Sequence, residues 1–186
     1  MAKSQYLHQI ISELDKLAEH VDDSQLQDAV ELIAGCKRIF VTGVGRTGAV
    51  MRAFANRLMH LGLSVYFVGD YTTPAIHKND LLIVGTGSGE TGSLVTITNK
   101  ASALEARILV LTIQSESTIG QKADQIVNIP GVSPKTDNDR IYESMQPMGN
   151  AFEQLTWLVC DTLIAYLMIR LDKTDTEMYA LHANLE

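Results

Sequence analysis

The chain has 186 residues, of which 46% are hydrophobic and 20% charged, and its formal net charge is −7. This length is enough for one domain with a substantial core, and the composition is that of a soluble globular protein. The negative charge argues against a general nucleic-acid-binding surface, because contact with phosphate backbones requires clustered cations.

The cysteines and the apolar segments indicate a cytoplasmic protein. Cys36 and Cys160 have neither CxxC nor zinc-site spacing, so they are interpreted as buried thiols in a reducing compartment. The N-terminal segment lacks the basic stretch and apolar core of a signal peptide. The most apolar run, residues 157–169, contains Asp161 and is too short to span a bilayer.

The chain begins with two predicted helices, over residues 4–20 and 24–34. Apolar residues recur in the first at helical spacing, Ser4 is a suitable N-cap, and Gly35 is a suitable end for the second. Both helices precede the first strand. We therefore expect the first helix to pack across a subunit interface in a homo-oligomer.

Five runs of β-forming residues alternate with helical segments in the rest of the chain. The predicted strands cover residues 38–42, 64–68, 81–84, 107–113 and 125–129. Helices are predicted after the first loop to residue 61, over 94–104, 119–123 and 148–171. This alternation predicts an α/β fold, a single doubly wound domain whose five-stranded parallel sheet carries helices on both faces.

No repeat and no long linker divides the chain, so residues 1–186 are interpreted as one flavodoxin-like domain. Its predicted parts are the N-terminal helices (1–35), the sheet core (36–131), and a loop, long helix and tail (132–186). Residues 131–140 are polar and predict a loop or flap. The tail from residue 172 shows no clear pattern.

Two glycine-rich segments follow the first and third strands: the first loop, GVGRTG at 43–48, and the second loop, GTGSGETG at 85–92. Glycine lets the backbone approach a ligand closely, and a helix N-terminus offers N–H groups to an anion. The second loop contains no lysine or arginine. A phosphate there would be held by neutral donors and the helix dipole. If the strand order is 2-1-3-4-5, both loops face one crevice.

The first loop also fits a dinucleotide site. It matches G-x-G-x-x-G after a strand, and Asp70 lies about where a ribose-binding carboxylate is expected. Against this alternative, a Rossmann protein needs no second hydroxyl-rich loop, and a dehydrogenase of this length would lack a substrate domain. The simpler interpretation of Asp70 is a turn residue.

With both loops in view, the sequence resembles the sugar isomerase (SIS) family. The matching segments are GVGRTG (43–48), GSGET (87–91), SMQPMG (144–149), FEQ (152–154) and HANLE (182–186). The loops are shared across the wider family. The C-terminal segments resemble the branch that interconverts D-arabino-3-hexulose 6-phosphate and D-fructose 6-phosphate. Thr47 departs from the expected serine but keeps a hydroxyl group.

The resemblance implies a homotetrameric isomerase with neither metal nor cofactor. It also implies a role in formaldehyde fixation by the ribulose monophosphate pathway and a functional link to 3-hexulose-6-phosphate synthase. The substrate-binding residues that it implies are Arg46, Thr47, Gly87, Ser88, Gly89, Glu90 and Thr91. Among these, Ser88 and Thr91 are expected to hold the phosphate.

Glu153 is the candidate base. Moving a carbonyl from C3 to C2 requires proton abstraction beside the carbonyl, a 2,3-enediol, and return of the proton to the neighbouring carbon, which one carboxylate can perform. The sequence alone leaves open an exposed first-turn glutamate favoured by the helix dipole. The resemblance favours the base.

Glu90 and His182 are further candidates. Glu90 would repel phosphate if it pointed inward, so a structural or sugar-hydroxyl role is expected. The HANLE match implies that His182 donates a proton to the carbonyl oxygen, either in its own site or in that of a neighbouring subunit. Two other functions stay open: an isomerase of another sugar phosphate, such as arabinose 5-phosphate, and a non-catalytic sugar-phosphate sensor.

Overall fold

The structure, a computed structural model, describes residues 4–132 and 144–185, and the strands within them form one parallel sheet. The strands are β1 (Ile39–Gly43), β2 (Val65–Phe67), β3 (Leu81–Thr86), β4 (Arg107–Thr112) and β5 (Gln125–Asn128). Their order is β2-β1-β3-β4-β5, and every neighbouring pair is parallel. The predicted α/β fold and strand order are confirmed.

Helices connect and flank these strands. They are α1 (Gln5–Ala18), α2 (Asp23–Gly35), α3 (Gly45–His60), α4 (Gly92–Ala103), α5 (Asn150–Arg170) and α6 (Asp175–Tyr179), with a 3-10 turn at Gly120–Lys122. Helix α3 begins inside the first loop rather than after it, and α4 begins two residues earlier than predicted. Both loops therefore contribute their last residues to a helix N-terminus.

The central strands are buried on both faces. Val41 and Ile83 face the side that carries α2, α3 and α5. Phe40 and Val84 face the side that α4 covers. All residues of β3 are buried, as expected for the middle of a parallel sheet between two layers of helices.

Helix α5 is the main core helix. It contacts α1, α2 and α3, and its buried residues include Leu155, Val159 and Leu163, which recur once per turn. Helix α5 is long and apolar enough to cross a membrane, but core helices of soluble proteins can have the same length and composition. Its packing against three other helices identifies it as a core helix.

Both cysteines are free thiols. Cys160 is buried in α5, Cys36 is half-buried, and burial raises the pKa of each thiol. Most of the predicted loop over 131–140 lies outside the described residues, as does the last residue of the HANLE segment. The tail forms α6, whose first turn is closed by a capping box between Thr174 and Glu177.

Candidate active site

The two loops meet where the sheet order reverses. β1 and β3 are neighbours, and Gly43 lies opposite Gly85 in their register. The chain leaves these two strands in opposite directions, which opens a crevice at their carboxyl ends. Gly85 allows α3 to pack close to the strands here. A Cβ at this position would lie only 2.5 Å from the side chain of Met51, which belongs to α3.

A cavity of about 300 Å³ occupies this crevice. Ligand clefts range from roughly 300 to 1,000 Å³, so it can hold one small molecule. The lining residues are Val44, Thr47, Gly85, Thr86, Gly87, Ser88, Thr91, Leu94, Val132, Met148, Gly149, Phe152 and Glu153. Five of the predicted site residues are therefore together at this cavity: Thr47, Gly87, Ser88, Thr91 and Glu153.

The helices α3, α4 and α5 begin at the cavity without side-chain caps. Their N-cap residues, Val44, Thr91 and Gly149, line the cavity and make no capping hydrogen bond. The other helices, α1, α2 and α6, are capped by the side chains of Ser4, Asp22 and Thr174. The uncapped first turns leave backbone N–H groups and positive dipole ends for an anion in the cavity.

Hydrogen bonds within the second loop fix its shape. Gly89 has a φ of +66°, which favours glycine, and its N–H donates to Thr86 Oγ1 at 3.1 Å. The N–H of Glu90 donates to Ser88 Oγ at 3.3 Å. A Cβ at Gly89 would lie 1.8 Å from Ser117 Oγ, so Gly89 serves the packing of the loop and does not line the cavity.

Glu90 points away from the cavity. Its Oε1 accepts a hydrogen bond from the Thr118 N–H at 2.7 Å, and this bond lowers the pKa of the Glu90 carboxyl. Glu90 does not line the cavity. Of its two expected roles, the geometry favours the structural one, which ties the second loop to the segment after β4.

Glu153 is the only ionisable side chain among the described residues that line the cavity. It lies in the first turn of α5, and its side chain is 17% exposed. It also borders a second, mostly apolar recess, here called the side cleft, which is lined by Leu14, Arg46, Ala49, Val50, Glu153, Gln154, Trp157 and Leu158. The Glu153 carboxylate therefore lies between the cavity and the side cleft.

Arg46 contacts Glu153 from the side cleft and does not line the cavity. Its Nη1 donates to Glu153 Oε2 at 2.8 Å and to Asn150 Oδ1 at 2.7 Å. The predicted contact between Arg46 and the ligand is not supported by this arrangement. Instead, the guanidinium is a neighbour of the candidate base.

His182 lies far from the cavity of its own chain. Its ring stacks on that of His60 with centroids 5.4 Å apart, and on Tyr179 at 5.9 Å. His60 ends α3, whose first residue is beside the cavity, and a helix of this length rises by about 22 Å. A role for His182 at the site therefore requires the site of another subunit, and that role stays a prediction.

Asp70, the candidate ribose ligand, is paired with an arginine. Its Oδ1 accepts from Arg52 Nη2 at 3.0 Å, and the same guanidinium lies 3.8 Å from the centroid of the Phe67 ring. This contact supports the structural interpretation of Asp70. Within the described residues, no three His, Cys, Asp or Glu side chains group together as metal ligands would.

Sequence reasoning missed the apolar wall of the cavity and the contact between Arg46 and Glu153. Met148 and Gly149 belong to the SMQPMG segment, which was a usable signal. Phe152 belongs to the FEQ segment (152–154), which was likewise a usable signal. Val132 carries no comparable signal, because an apolar side chain in a loop is typical of the core. Asn150 was missed because no pattern links it to Arg46.

Comparison with known proteins gives a consistent result. Residues 32–157 match the SIS domain model. The chain is 39% identical over 186 residues to the 3-hexulose-6-phosphate isomerase of Bacillus subtilis, covering 100% of both chains. It is 38% identical over 174 residues to that of Mycobacterium gastri, covering 94% of this chain and 86% of the relative.

A solved structure agrees with these relatives. It is a hypothetical protein of Methanococcus jannaschii for which the structure inferred a function as 3-hexulose-6-phosphate isomerase. The two folds superimpose with a TM-score of 0.80 at 34% sequence identity, over 96% of each chain.

Proposed function

The chain belongs to the SIS domain family, and we propose that it is a 3-hexulose-6-phosphate isomerase, which interconverts D-arabino-3-hexulose 6-phosphate and D-fructose 6-phosphate. The observation that carries this proposal is the cavity itself. Three uncapped helix N-termini surround it, and among the described residues one carboxylate, that of Glu153, lines it. An anion site with a single general base is what a metal-free proton transfer on a sugar phosphate requires.

The phosphate of the substrate is bound by the second loop and the start of α4. Ser88 and Thr91 line the cavity and offer hydroxyl groups. The uncapped first turn of α4 adds backbone N–H groups. No described cation lines the cavity, so neutral donors and helix dipoles hold the charge.

Glu153 moves the proton. Its carboxylate takes the proton from C2 of the 3-hexulose while the C3 carbonyl oxygen gains one, which gives the 2,3-enediol. The same carboxylate then returns a proton to C3 as the hydroxyl on C2 loses its proton and becomes the carbonyl. One base suffices for both steps if it lies over both carbons.

A second group must donate the proton that the C3 carbonyl oxygen gains. Thr47 lines the cavity from the first turn of α3 and can orient the sugar oxygens. His182 of a neighbouring subunit is the proposed donor, because its own chain keeps it at the far end of α3. This assignment requires an oligomer.

We propose a homotetramer in the cytoplasm that acts after 3-hexulose-6-phosphate synthase. Exposed apolar side chains on α1 and α5 support assembly, among them Ile11 at 54% exposure and Trp157 at 45%. Leu14 of α1 and Trp157 of α5 both line the side cleft, so the apolar surface is continuous across the two helices.

The proposed function is tested by following conversion of freshly synthesised 3-hexulose 6-phosphate to fructose 6-phosphate, with EDTA present. We expect turnover of this substrate and none of arabinose 5-phosphate. Turnover of arabinose 5-phosphate alone would instead identify the protein as an arabinose 5-phosphate isomerase. Tight binding of sugar phosphates without turnover would favour the sensor.

A further inference from the structure

We propose that Asn150 is a positioning residue for the base: its neutral amide holds the Arg46 guanidinium against Glu153, which points the carboxylate at the substrate. This inference rests on the proposed function. It adds a residue that lies outside both glycine-rich loops and does not line the cavity.

The contact joins two helix starts. Arg46 is the second residue of α3, Asn150 is the first residue of α5, and Glu153 lies three residues further along α5. Residues three apart lie on one side of a helix. A single nitrogen, Nη1 of Arg46, therefore reaches both Asn150 Oδ1 (2.7 Å) and Glu153 Oε2 (2.8 Å).

The arrangement leaves one carboxylate oxygen for chemistry. Arg46 occupies Oε2 from the side cleft, whereas Glu153 also lines the cavity. Oε1 has no hydrogen-bond partner within the described ranges 4–132 and 144–185. A carboxylate fixed at one oxygen presents the other in a defined direction, which is what a base acting on two adjacent carbons needs.

The amide of Asn150 suits this role because it accepts a hydrogen bond without carrying charge. The Arg46 side chain is 52% exposed, and a free arginine loses rotamer entropy when it is held in one geometry. The Asn150 bond restrains that side chain. An aspartate at position 150 would also accept the bond, but it would compete for Arg46 and repel the ionised Glu153.

Other charged groups near α5 have their own partners. From α1, Glu13 contacts Gln146 with 3.5 Å between Glu13 Oε2 and Gln146 Nε2. From α2, Glu31 pairs with Arg170, and Asp23 accepts from Tyr166, both towards the far end of α5. From the second loop, Glu90 is bonded to Thr118. In the described part of the chain, Arg46 is thus the charged group in contact with Glu153.

The test compares Asn150→Asp and Asn150→Ala with wild type in kcat, KM and pH profile. Asn150→Ala should lower kcat between about ten- and a hundredfold, because the base is misplaced, and leave KM nearly unchanged. Asn150→Asp should shift the acid limb of kcat to higher pH, since the added negative charge disfavours the ionised base. Its activity should recover at alkaline pH.

The controls separate positioning from stability and bulk charge. Aspartate in the first turn of a helix is favourable, so Asn150→Asp should keep the wild-type Tm. Asn99→Asp adds the same charge on exposed α4, and its pH profile should match that of wild type. In an Arg46→Met background, Asn150→Ala should cause no further loss, because the two residues act as one unit.

Two results would overturn the proposal: an unshifted pH profile in Asn150→Asp, or losses from Arg46→Met and Asn150→Ala that simply add. A wild type inactive on 3-hexulose 6-phosphate would refute the proposed function instead. The contact of Arg46 with Asn150 and Glu153 is then tested without substrate, by ¹³C NMR titration of the Glu153 carboxylate. The titration midpoint of this carboxylate should move to higher pH in Asn150→Asp, and an unchanged midpoint would refute the proposed role of Asn150.

Discussion

Ser88 is the proposed uncharged donor to the phosphate. It is buried, lines the cavity, and its Oγ accepts from the Glu90 N–H. Within residues 4–132 and 144–185 this hydroxyl donates no hydrogen bond, so its hydrogen can donate to a phosphate oxygen. A hydrogen bond to a charged group contributes about 1.5–3 kcal/mol.

Ser88→Ala should consequently raise KM by about ten- to a hundredfold, with a smaller effect on kcat, because the phosphate is bound in ground and transition states alike. Steady-state kinetics on both sugar phosphates measures this split. Ser93→Ala is the matched control, since Ser93 is exposed on α4 and does not line the cavity. A fall in kcat with unchanged KM would place Ser88 in the chemical step.

At the residue scale, the sequence indicated Glu153 as the candidate base but not the residues around it. The carboxylate of Glu153 stood at the start of an apolar helix, where a charge is unusual. Its partner Arg46 is 107 positions away, and Asn150 is 104 positions from Arg46. Neither periodicity nor a local motif predicts a contact that only the packing of α3 against α5 creates.

Helix α3 packs unusually close to the sheet, and glycine makes this possible. A Cβ at Gly85 would lie 2.5 Å from both Cγ and Sδ of Met51 and 3.3 Å from Cγ2 of Thr47. Overpacking a filled core costs about 1–3 kcal/mol. Gly85, the first residue of the second loop, thus serves the packing of α3 against the sheet.

Gly85→Ala should therefore lower the free energy of unfolding by about 1–3 kcal/mol, measured by urea denaturation. Gly35→Ala, at the end of α2, is the matched control, because a Cβ at that position would have no other heavy atom within 4 Å. It should be neutral or slightly stabilising. Equal effects of the two changes would contradict the close-packing argument.

The tail is docked on a buried histidine. Burial lowers the pKa of His60, and the charge of Arg57 and the neighbouring His182 add to this. A histidine whose pKa is lower when folded takes up its proton more readily when unfolded. Its contribution to stability is therefore complete above the unfolded pKa of about 6.5 and declines as the pH falls below it.

Acidification from about pH 7.5 to about pH 5.5, across the ordinary histidine pKa of about 6.5, should thus destabilise the fold. The His60→Gln variant should lose less stability than wild type over the same range. Thermal melts at both pH values measure the difference. The same loss in both proteins would show that other groups cause the pH dependence.

Elements were predictable where their signal was local. The apolar runs predicted all five strands of the described sheet, and the T-x-x-E pattern at Thr174 to Glu177 would have revealed α6. The starts of α3 and α4 were placed too late, because residues in a glycine-rich loop have weak helix propensity. Packing onto β1 and β3 compensates for that weakness, and packing is not a local signal.

The whole molecule presents an apolar surface on one side. On α1, Leu7 and Ile11 are each 54% exposed and one turn apart. On α5, Trp157 and Leu158 are 45% and 49% exposed. Large exposed apolar patches mark interaction sites, and a second copy of this chain is the expected occupant in a homo-oligomer.

Ile11→Glu should therefore reduce the oligomer to smaller species, because it places a charge in an apolar interface. Light scattering after size-exclusion chromatography measures the mass. Leu104→Glu is the matched control, since Leu104 is 50% exposed at the end of α4, on the opposite side of the sheet. A monomeric wild type, or an unchanged mass in Ile11→Glu, would contradict the expected interface.

At this scale the strand order was predictable, whereas the expected homo-oligomer stays a prediction. Two glycine-rich loops after β1 and β3 make sense as one site only if those strands are neighbours, and the sheet order confirms this. The proposed role of His182 depends on other copies of the chain. A single sequence carries no signal for the distance between subunits.

The central claim is that Glu153 moves a proton between C2 and C3. The most direct measurement incubates fructose 6-phosphate with the protein in D₂O, with EDTA present, and locates deuterium by NMR. We predict deuterium at C3 with wild type and a rate lowered by about 10²–10⁴-fold in Glu153→Gln. Asp161→Asn, exposed on the same helix, should behave as wild type. Deuterium at C1, or undiminished exchange in Glu153→Gln, would contradict the account.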